Sequence, residues 1–218
     1  MDWATWLPAL WTATLETLYM VGVATLFTVV FGLPLGVLLV ITDRTGLNPA
    51  PSLNQMLGTV INAARLLPFI ILLVVVIPFT RLLVGTTIGA TAAIVPLTLA
   101  AIPFFARISE TALREVDRGL VEAAVSMGCT PGQIIWKVLI PESLPSLVLG
   151  VTITIISLIG YSAMAGTVGA GGLGDLAIRY GYNRFEVEVM IITVILLIGL
   201  VQGIQIFGNR LARQVSRR

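Results

Sequence analysis

Long runs without a single charged residue constrain this chain more than any other feature of its sequence. Four such runs can be read directly: Thr17–Thr42, Leu82–Ala106, Ser143–Gly174 and Val189–Asn209. A helix needs about 20 apolar residues to cross the hydrocarbon core of a bilayer, and each of these runs is long enough. Buried helices of a soluble protein are the alternative, but runs of this length favour membrane spans.

A shorter apolar run over 66–80 extends backward through 57–64 and supplies a fifth span. Charged residues make up only 11% of the chain, less than half the roughly 25% of a soluble domain. The sequence therefore predicts an all-α integral membrane protein with five transmembrane helices, at about 15–41, 58–80, 87–107, 144–164 and 188–208. The first run is too long for a signal peptide and no basic residue precedes it, so we interpret it as a retained span.

Basic residues are distributed unevenly about these five spans. With the N-terminus outside, ten of the 13 lysines and arginines fall on the inner side, as the positive-inside rule requires. The C-terminus then lies in the cytosol, and its basic tail, 209–218, is expected to lie against anionic lipid headgroups. The pI of about 9.0 follows from this topology and gives no reason to expect nucleic acid as a partner.

Arg65 is the ionisable residue that falls near the inner end of the second predicted span. Its side chain is interpreted as snorkelling to the interface or pairing with the polar segment described next. A direct role in a substrate path is the alternative, since ionisable groups inside spans are often functional.

Residues 110–142 form a polar, amphipathic segment between two apolar runs, and the topology places them in the cytosol. An apolar stripe recurs there at helical spacing: Leu120, Ala123, Ala124 and Met127. Gly128 suits a left-handed helix stop, and 130–133 reads as a capping box with a proline at the first helical position. We therefore expect two short helices joined at a glycine corner, the second ended by Pro141 and Pro145. A soluble partner is expected to bind this segment.

Several kinds of chemistry are excluded or disfavoured. The chain has no histidine and one cysteine, Cys129, so it has no His-dependent catalysis and no intrachain disulfide. It lacks a phosphate-binding G-x-x-x-x-G-K-[ST] loop. Residues 169–174 fit G-x-G-x-x-G but follow an apolar helix rather than a strand, so we interpret these glycines as a bent connection or a close helix contact. No cofactor or metal is expected in this chain.

The polar segment also carries a family resemblance. Glu122-Ala123-Ala124, then Gly128, then Val138-Leu139-Ile140-Pro141 resembles the EAA loop of ABC importer permeases. In that family the loop forms a coupling helix that docks in a groove of the ATPase. The resemblance assigns ATPase coupling to the residues that match: Glu122, Ala123, Ala124, Gly128 and Pro141. Two positions depart from the family pattern, which would have proline near Asp117 and often alanine at Cys129; Asp117 is expected to act as an N-cap instead.

The rest of the chain is similar to the methionine importer permeases within that family. The stretches that carry the similarity are 65–73, 77–81, 93–98, 160–164, 169–174 and 180–182. This resemblance implies a permease domain over 14–207 in a homodimer, in the bacterial inner membrane. It also implies two copies of an ATPase that binds ATP and Mg, and a periplasmic or lipid-anchored binding protein that delivers methionine, L and possibly D.

Two groups of residues outside the loop are further candidates. A bend near 161–174 would suit a gate, with Met164, Tyr161 and Ser162 as candidate gate or pore residues; ordinary helix packing is the alternative. On the outer side, Arg179, Arg184 and Glu186 are candidate contacts for the binding protein. The nearby tyrosines are typical of an aromatic belt at the membrane interface.

Other functions remain open to the sequence. A permease for another amino acid or a compatible solute would carry the same loop. A passive channel would conduct without ATP and leaves the polar segment unexplained. A membrane enzyme would cluster polar residues at one depth of the spans, whereas these spans hold few ionisable groups.

Overall fold

The computed structural model describes residues 3–216, with side chains from Trp6 onward, and every regular element in that range is helical. The α-helices are α1 (Trp3–Ile41), α2 (Pro51–Leu66), α3 (Phe69–Val75), α4 (Ile77–Val84), α5 (Ala90–Arg114), α6 (Arg118–Ser126), α7 (Pro131–Ile134), α8 (Ile140–Gly166), α9 (Gly172–Leu176) and α10 (Val187–Ser216). Two π-helical turns, Ile135–Leu139 and Ala177–Tyr182, extend α7 into α8 and α9 toward α10.

The apolar runs form helices long enough to cross a bilayer. Within the described residues, four stretches qualify by length and composition: Trp6–Ile41, Ala90–Arg114, Pro131–Gly166 and Val187–Ser216. The pair α2 and α3 makes a fifth span when it is counted as one bent element. The all-α membrane fold is therefore confirmed. Helices α1, α5 and α10 extend beyond the predicted spans. The spans were predicted from charge-free residues, whereas a helix can continue past the edge of the bilayer.

The predicted second helix, 58–80, is wrong as a single element. Helix α2 ends at Leu66, and α3 starts at Phe69 after a turn of 102°. Leu67 is extended (φ −72°, ψ 122°), as expected for a residue whose helical conformation would clash with the proline ring that follows. A second break falls at Val76, just before Pro78 in the first turn of α4.

The prediction that Pro141 and Pro145 end a short helix is also wrong. The helix runs without interruption from Pro131 to Gly166, 36 residues. Proline lacks an N–H and crowds the carbonyl group four residues earlier. The wide π turn Ile135–Leu139 lies immediately before Pro141 and relieves that crowding, since π turns add a residue to the helical ladder.

Close packing of α1 against α5 holds the centre of the bundle. A Cβ built on Gly36 would lie 2.6 Å from the Ser109 Cβ and 2.8 Å from the Ala106 carbonyl oxygen. Gly36 therefore allows the two helices to approach, as small residues do between membrane helices. Several turns farther from the chain's polar residues 107–114, Met20, Leu97 and Leu158, contributed by α1, α5 and α8, are fully buried in one apolar cluster.

An ion cluster joins three helices where α1 ends and α2 begins, which we call the polar end. The Glu110 carboxylate, in α5, accepts hydrogen bonds from Arg107 Nη1 at 2.5 Å and Arg114 Nη2 at 2.9 Å. Arg114 Nη1 also reaches Asp43 Oδ2, just after α1, at 2.7 Å. Arg107 donates further to the Gly58 carbonyl oxygen of α2 at 3.0 Å. The charges of α5 are thus compensated by partners from both neighbouring helices.

We expect Gly36→Ala to destabilise the protein, because its new methyl group has no room between α1 and α5. Overpacking of this kind costs about 1–3 kcal/mol, which would appear as a lower midpoint of thermal unfolding in detergent. Gly22→Ala is the matched control, since in the described structure a Cβ on Gly22 of the same helix meets no atom within 4 Å. Equal midpoints for the two variants would contradict the packing described here.

We expect Glu110→Ala to be strongly destabilising, because it leaves two arginines without their shared carboxylate. Glu110 is only 8% exposed, but its arginine partners are partly exposed, so the loss should cost about 1.5–3 kcal/mol, the scale of a charge-assisted hydrogen bond. Glu142→Ala, at an exposed position of α8, should have little effect. The measurement is the yield and thermal midpoint of the purified protein, and a Glu110 variant as stable as the Glu142 variant would show that the cluster contributes little.

Candidate functional site

The polar segment forms an angular unit, the elbow (residues 117–134), at the polar end of the bundle. Asp117 Oδ1 accepts the Gly119 N–H at 2.7 Å, which confirms its expected role as the N-cap of α6. Gly128 follows α6 with φ +78°, a left-handed conformation that glycine adopts without steric cost. The capping box of Thr130 and Gln133 is likewise confirmed, with both reciprocal hydrogen bonds present.

The elbow divides its apolar residues between the core and the surface. Ala124 is 2% exposed and packs with Leu113, Ile134 and Leu139. The other members of the predicted stripe lie at the surface: Leu120, Ala123 and Met127. The stripe is therefore not a single buried face, because α6 rests on the bundle through Ala124 alone among the four. Met127 is 76% exposed, which leaves an apolar surface open on α6.

Glu122 lies at the surface of α6, beside a cavity of about 850 Å³ between the elbow and the connection that follows α1. Arg114 and Arg118 border the same cavity. Cys129 is partly buried against the apolar cluster beneath the elbow, and Pro141 stands just past the π turn. Glu122, Ala123, Ala124 and Gly128 thus share the elbow, whereas Pro141 lies beyond it at the start of α8.

The elbow follows the end of α5, which an ion pair and a hydrogen bond tie to neighbouring segments. Arg114 at the end of α5 holds Asp43, and its hydrogen bond keeps the pKa of that carboxyl below its ordinary value. Asp43 therefore stays ionised at neutral pH, and this contact is lost only as pH falls through the lowered pKa. Ser146 Oγ donates to Glu115 Oε2 at 2.9 Å and ties the same end of α5 to α8. Sequence reasoning missed this network, although Arg107, Glu110 and Arg114 follow the i, i+3 and i+4 spacing of helical ion pairs.

The candidate gate residues lie along one stretch of α8. The Tyr161 ring stacks on Phe69 with centroids 4.8 Å apart and planes 11° apart, directly after the break between α2 and α3. Met164, one turn further along, is 48% exposed. Ser162 is 2% exposed, and its hydroxyl group donates to the Ile159 carbonyl oxygen at 2.8 Å. The structure therefore brings Tyr161 and Met164 to a surface and turns Ser162 into the protein.

The three candidate contacts for a binding protein share the segment before α10, at the end of the bundle opposite the polar end. Arg179 pairs with Asp175 at 2.6 Å. The guanidinium of Arg184 lies 4.7 Å from the centre of the Tyr180 ring, and the Glu186 carbonyl oxygen accepts from the first turn of α10. Both arginine side chains thus contact other residues of this chain and remain exposed at its surface.

A second link at this end was not foreseen. Glu16 Oε2 accepts the Gly172 N–H at 2.7 Å, and Thr17 Oγ1 accepts the Leu173 N–H at 2.9 Å. A Cβ on Gly171 would lie 2.7 Å from Glu16 Oε2. The glycine run 169–174 therefore allows close approach to α1. Close helix contact was one of the two interpretations of this run in the sequence.

Known proteins are similar to this chain in sequence over nearly its whole length. The chain is 57% identical over 207 residues to a probable D-methionine transport system permease protein MetI of Vibrio cholerae, covering 95% of this chain and 92% of that protein. It is 44% identical over 212 residues to the methionine import system permease protein MetP of Bacillus subtilis, covering 97% and 96%.

Solved structures agree with these relatives. A chain of the MetNI methionine ABC transporter in an inward-facing conformation superposes with a TM-score of 0.95 at 49% identity, covering 99% of both chains. Residues 32–218 match the family model described as binding-protein-dependent transport system inner membrane component. Since that match takes in most of the chain, the protein belongs to the family of binding-protein-dependent transport system inner membrane components.

Proposed function

We propose that this chain is the permease subunit of an ATP-driven importer that moves methionine, L and possibly D, across the bacterial inner membrane. The observation that carries the proposal is the elbow: a capped, surface-exposed helix pair whose second helix continues directly into a membrane span. Relatives with 44% to 57% identity over nearly the whole chain are described as methionine permeases, which supports methionine over other amino acids or compatible solutes.

The assembly in this proposal follows the importer class. Two copies of this chain surround the substrate path, and two ATPase subunits bind ATP and Mg and dock on the elbows. A periplasmic or lipid-anchored binding protein delivers methionine to the opposite end, where Arg179, Arg184 and Glu186 offer charged contacts. The N-terminus lies outside and the elbow in the cytosol, in keeping with the distribution of basic residues. The likeness to the MetNI transporter supports the ATPase and the dimer.

The geometry suggests how force would pass from the elbow to the gate. The helix that starts at Pro131 runs 36 residues to Gly166, roughly 50 Å at 1.5 Å per residue. A displacement of α6 by a closing ATPase therefore tilts one continuous element whose far end carries Tyr161 and Met164. Exposed Met127 and Glu122 present apolar and acidic groups to the ATPase groove. Rigid-body coupling of this kind is a common form of conformational switching.

The direct test is reconstitution of this chain with its ATPase and binding protein in proteoliposomes. We expect uptake of labelled methionine that requires both ATP and the binding protein and that unlabelled methionine blocks better than other amino acids. Uptake of methionine without ATP would indicate a channel instead. Preference for a different amino acid or a compatible solute would keep the importer and overturn the assigned substrate.

We expect Gly128→Val to uncouple the importer, because a β-branched residue is strained at the left-handed conformation that sets the elbow angle. Uptake should fall at least several-fold while membrane insertion and dimer assembly persist. Gly128→Asn is the matched control, since asparagine tolerates this conformation and should retain most uptake. The measurements are ATP hydrolysis and methionine uptake in proteoliposomes; normal uptake by the valine variant would remove the coupling role of the corner.

A further inference from the structure

A groove beside the helix break is not explained by the coupling machinery. Its walls include Asn62, Arg65, Phe69, Phe104 and Tyr161, and we call it the Arg65 groove. Its volume of about 480 Å³ falls within the range of about 300–1,000 Å³ that is typical of small-molecule sites. The Phe69–Tyr161 stack forms part of the wall on the side toward Met164.

Arg65 is a charge at this groove without a carboxylate partner in the described residues. Across residues 3–216, no hydrogen bond or ion pair reaches its guanidinium group, and its side chain is exposed. The arginines of α5 differ, since Arg107 and Arg114 both share the Glu110 carboxylate. A guanidinium remains charged at any physiological pH and presents a planar fork that fits a carboxylate. Its position therefore leaves an anion-binding group open toward the groove.

The location of Arg65 argues against simple snorkelling to the polar end. Arg107 contacts α2 at Gly58 and Asn62, and Arg65 lies farther along α2, in its last turn before the break. The same groove reaches Ala100 and Phe104, one to two turns inward from Arg107 on α5. Arg65 thus lies farther from the polar end along the bundle than the ion cluster does, at a depth where charged residues commonly mark a substrate path.

The broken helix adds a second recognition element. The last carbonyl groups of a helix lack partners within it, and their partial negative charge favours a cation. Helix α2 ends at Leu66 on the rim of the groove. A zwitterionic amino acid carries both charges that this pair of features recognises. In transporters, the C-terminal ends of discontinuous membrane helices face bound cations.

We propose that the Arg65 groove is a transient substrate site on the translocation path, in which Arg65 binds the carboxylate of the amino acid. The end of α2 receives the ammonium group, and the Phe104 and Tyr161 rings cover the side chain. The site rests on the proposed import function and extends it, because it assigns part of the substrate recognition to the permease itself. A lipid phosphate would satisfy the same guanidinium, so the experiments separate these two anions.

The first experiment compares Arg65→Gln and Arg65→Lys with Arg81→Gln in the reconstituted complex. Arg81, in α4, is also exposed and makes no side-chain hydrogen bond or ion pair within the described residues, so it controls for loss of charge alone. We expect Arg65→Gln to lower methionine uptake per ATP hydrolysed about tenfold, the scale of a charge-assisted hydrogen bond. Lysine should restore part of the loss because it keeps the charge but not the fork. Equal uptake per ATP in the two glutamine variants would overturn the site.

The second experiment distinguishes substrate from lipid. Cys129→Ser removes the single native thiol, and Leu67→Cys, at an exposed position on the groove wall, then allows labelling by a water-soluble anionic thiosulfonate while Arg65 is retained. We expect methionine, added with ATP and binding protein, to slow labelling several-fold, whether or not the proteoliposomes contain phosphatidylglycerol. Labelling that responds to phosphatidylglycerol but not to methionine would assign the groove to lipid and overturn the proposal. Failure of the import function itself would appear separately, as absence of uptake by the unmutated complex.

Discussion

One carboxylate, that of Glu110, holds the polar end of this protein together. It is shared by Arg107 and Arg114, which in turn reach α2 and the end of α1. Glu110 is buried, and a buried charge is stable only when it is paired, so its ionised state depends on the two arginines. The three helices therefore meet at a fixed point, and the elbow is built on that point.

The transmission that we propose from the elbow depends on two local features of the chain. Gly128 turns the backbone sharply, and the capping box of Thr130 and Gln133 starts the next helix without fraying. That helix has a π turn just before Pro141 and continues unbroken as a membrane span. At the far end, Glu16 holds the backbone of the glycine run against α1. A long element anchored near both ends can change its tilt as a unit.

Sequence patterns predicted what local chemistry determines. Charge-free runs indicated the spans, and the Asp117 cap and the capping box followed from residue type and spacing. Proline effects were less predictable: Pro68 breaks its helix, whereas Pro141 lies in a continuous helix just after a π turn. The contacts of Arg114 with Asp43 and of Arg107 with Gly58, like the Glu16 link, join residues distant in sequence. The Arg65 groove exists only because the chain bends between α2 and α3. Such features depend on tertiary packing, which no local pattern records.

In the proposed mechanism, the elbow moves when nucleotide binds and α8 moves with it. Spin labels on Met127→Cys in a Cys129→Ser background would report the distance between the two elbows of a dimer in the full complex. Labels on Met164→Cys would report the distance at the gate. The account predicts that both distances change together when ATP binds. Uptake that proceeds while the elbow distance stays constant, or a gate that moves without the elbow, would contradict it.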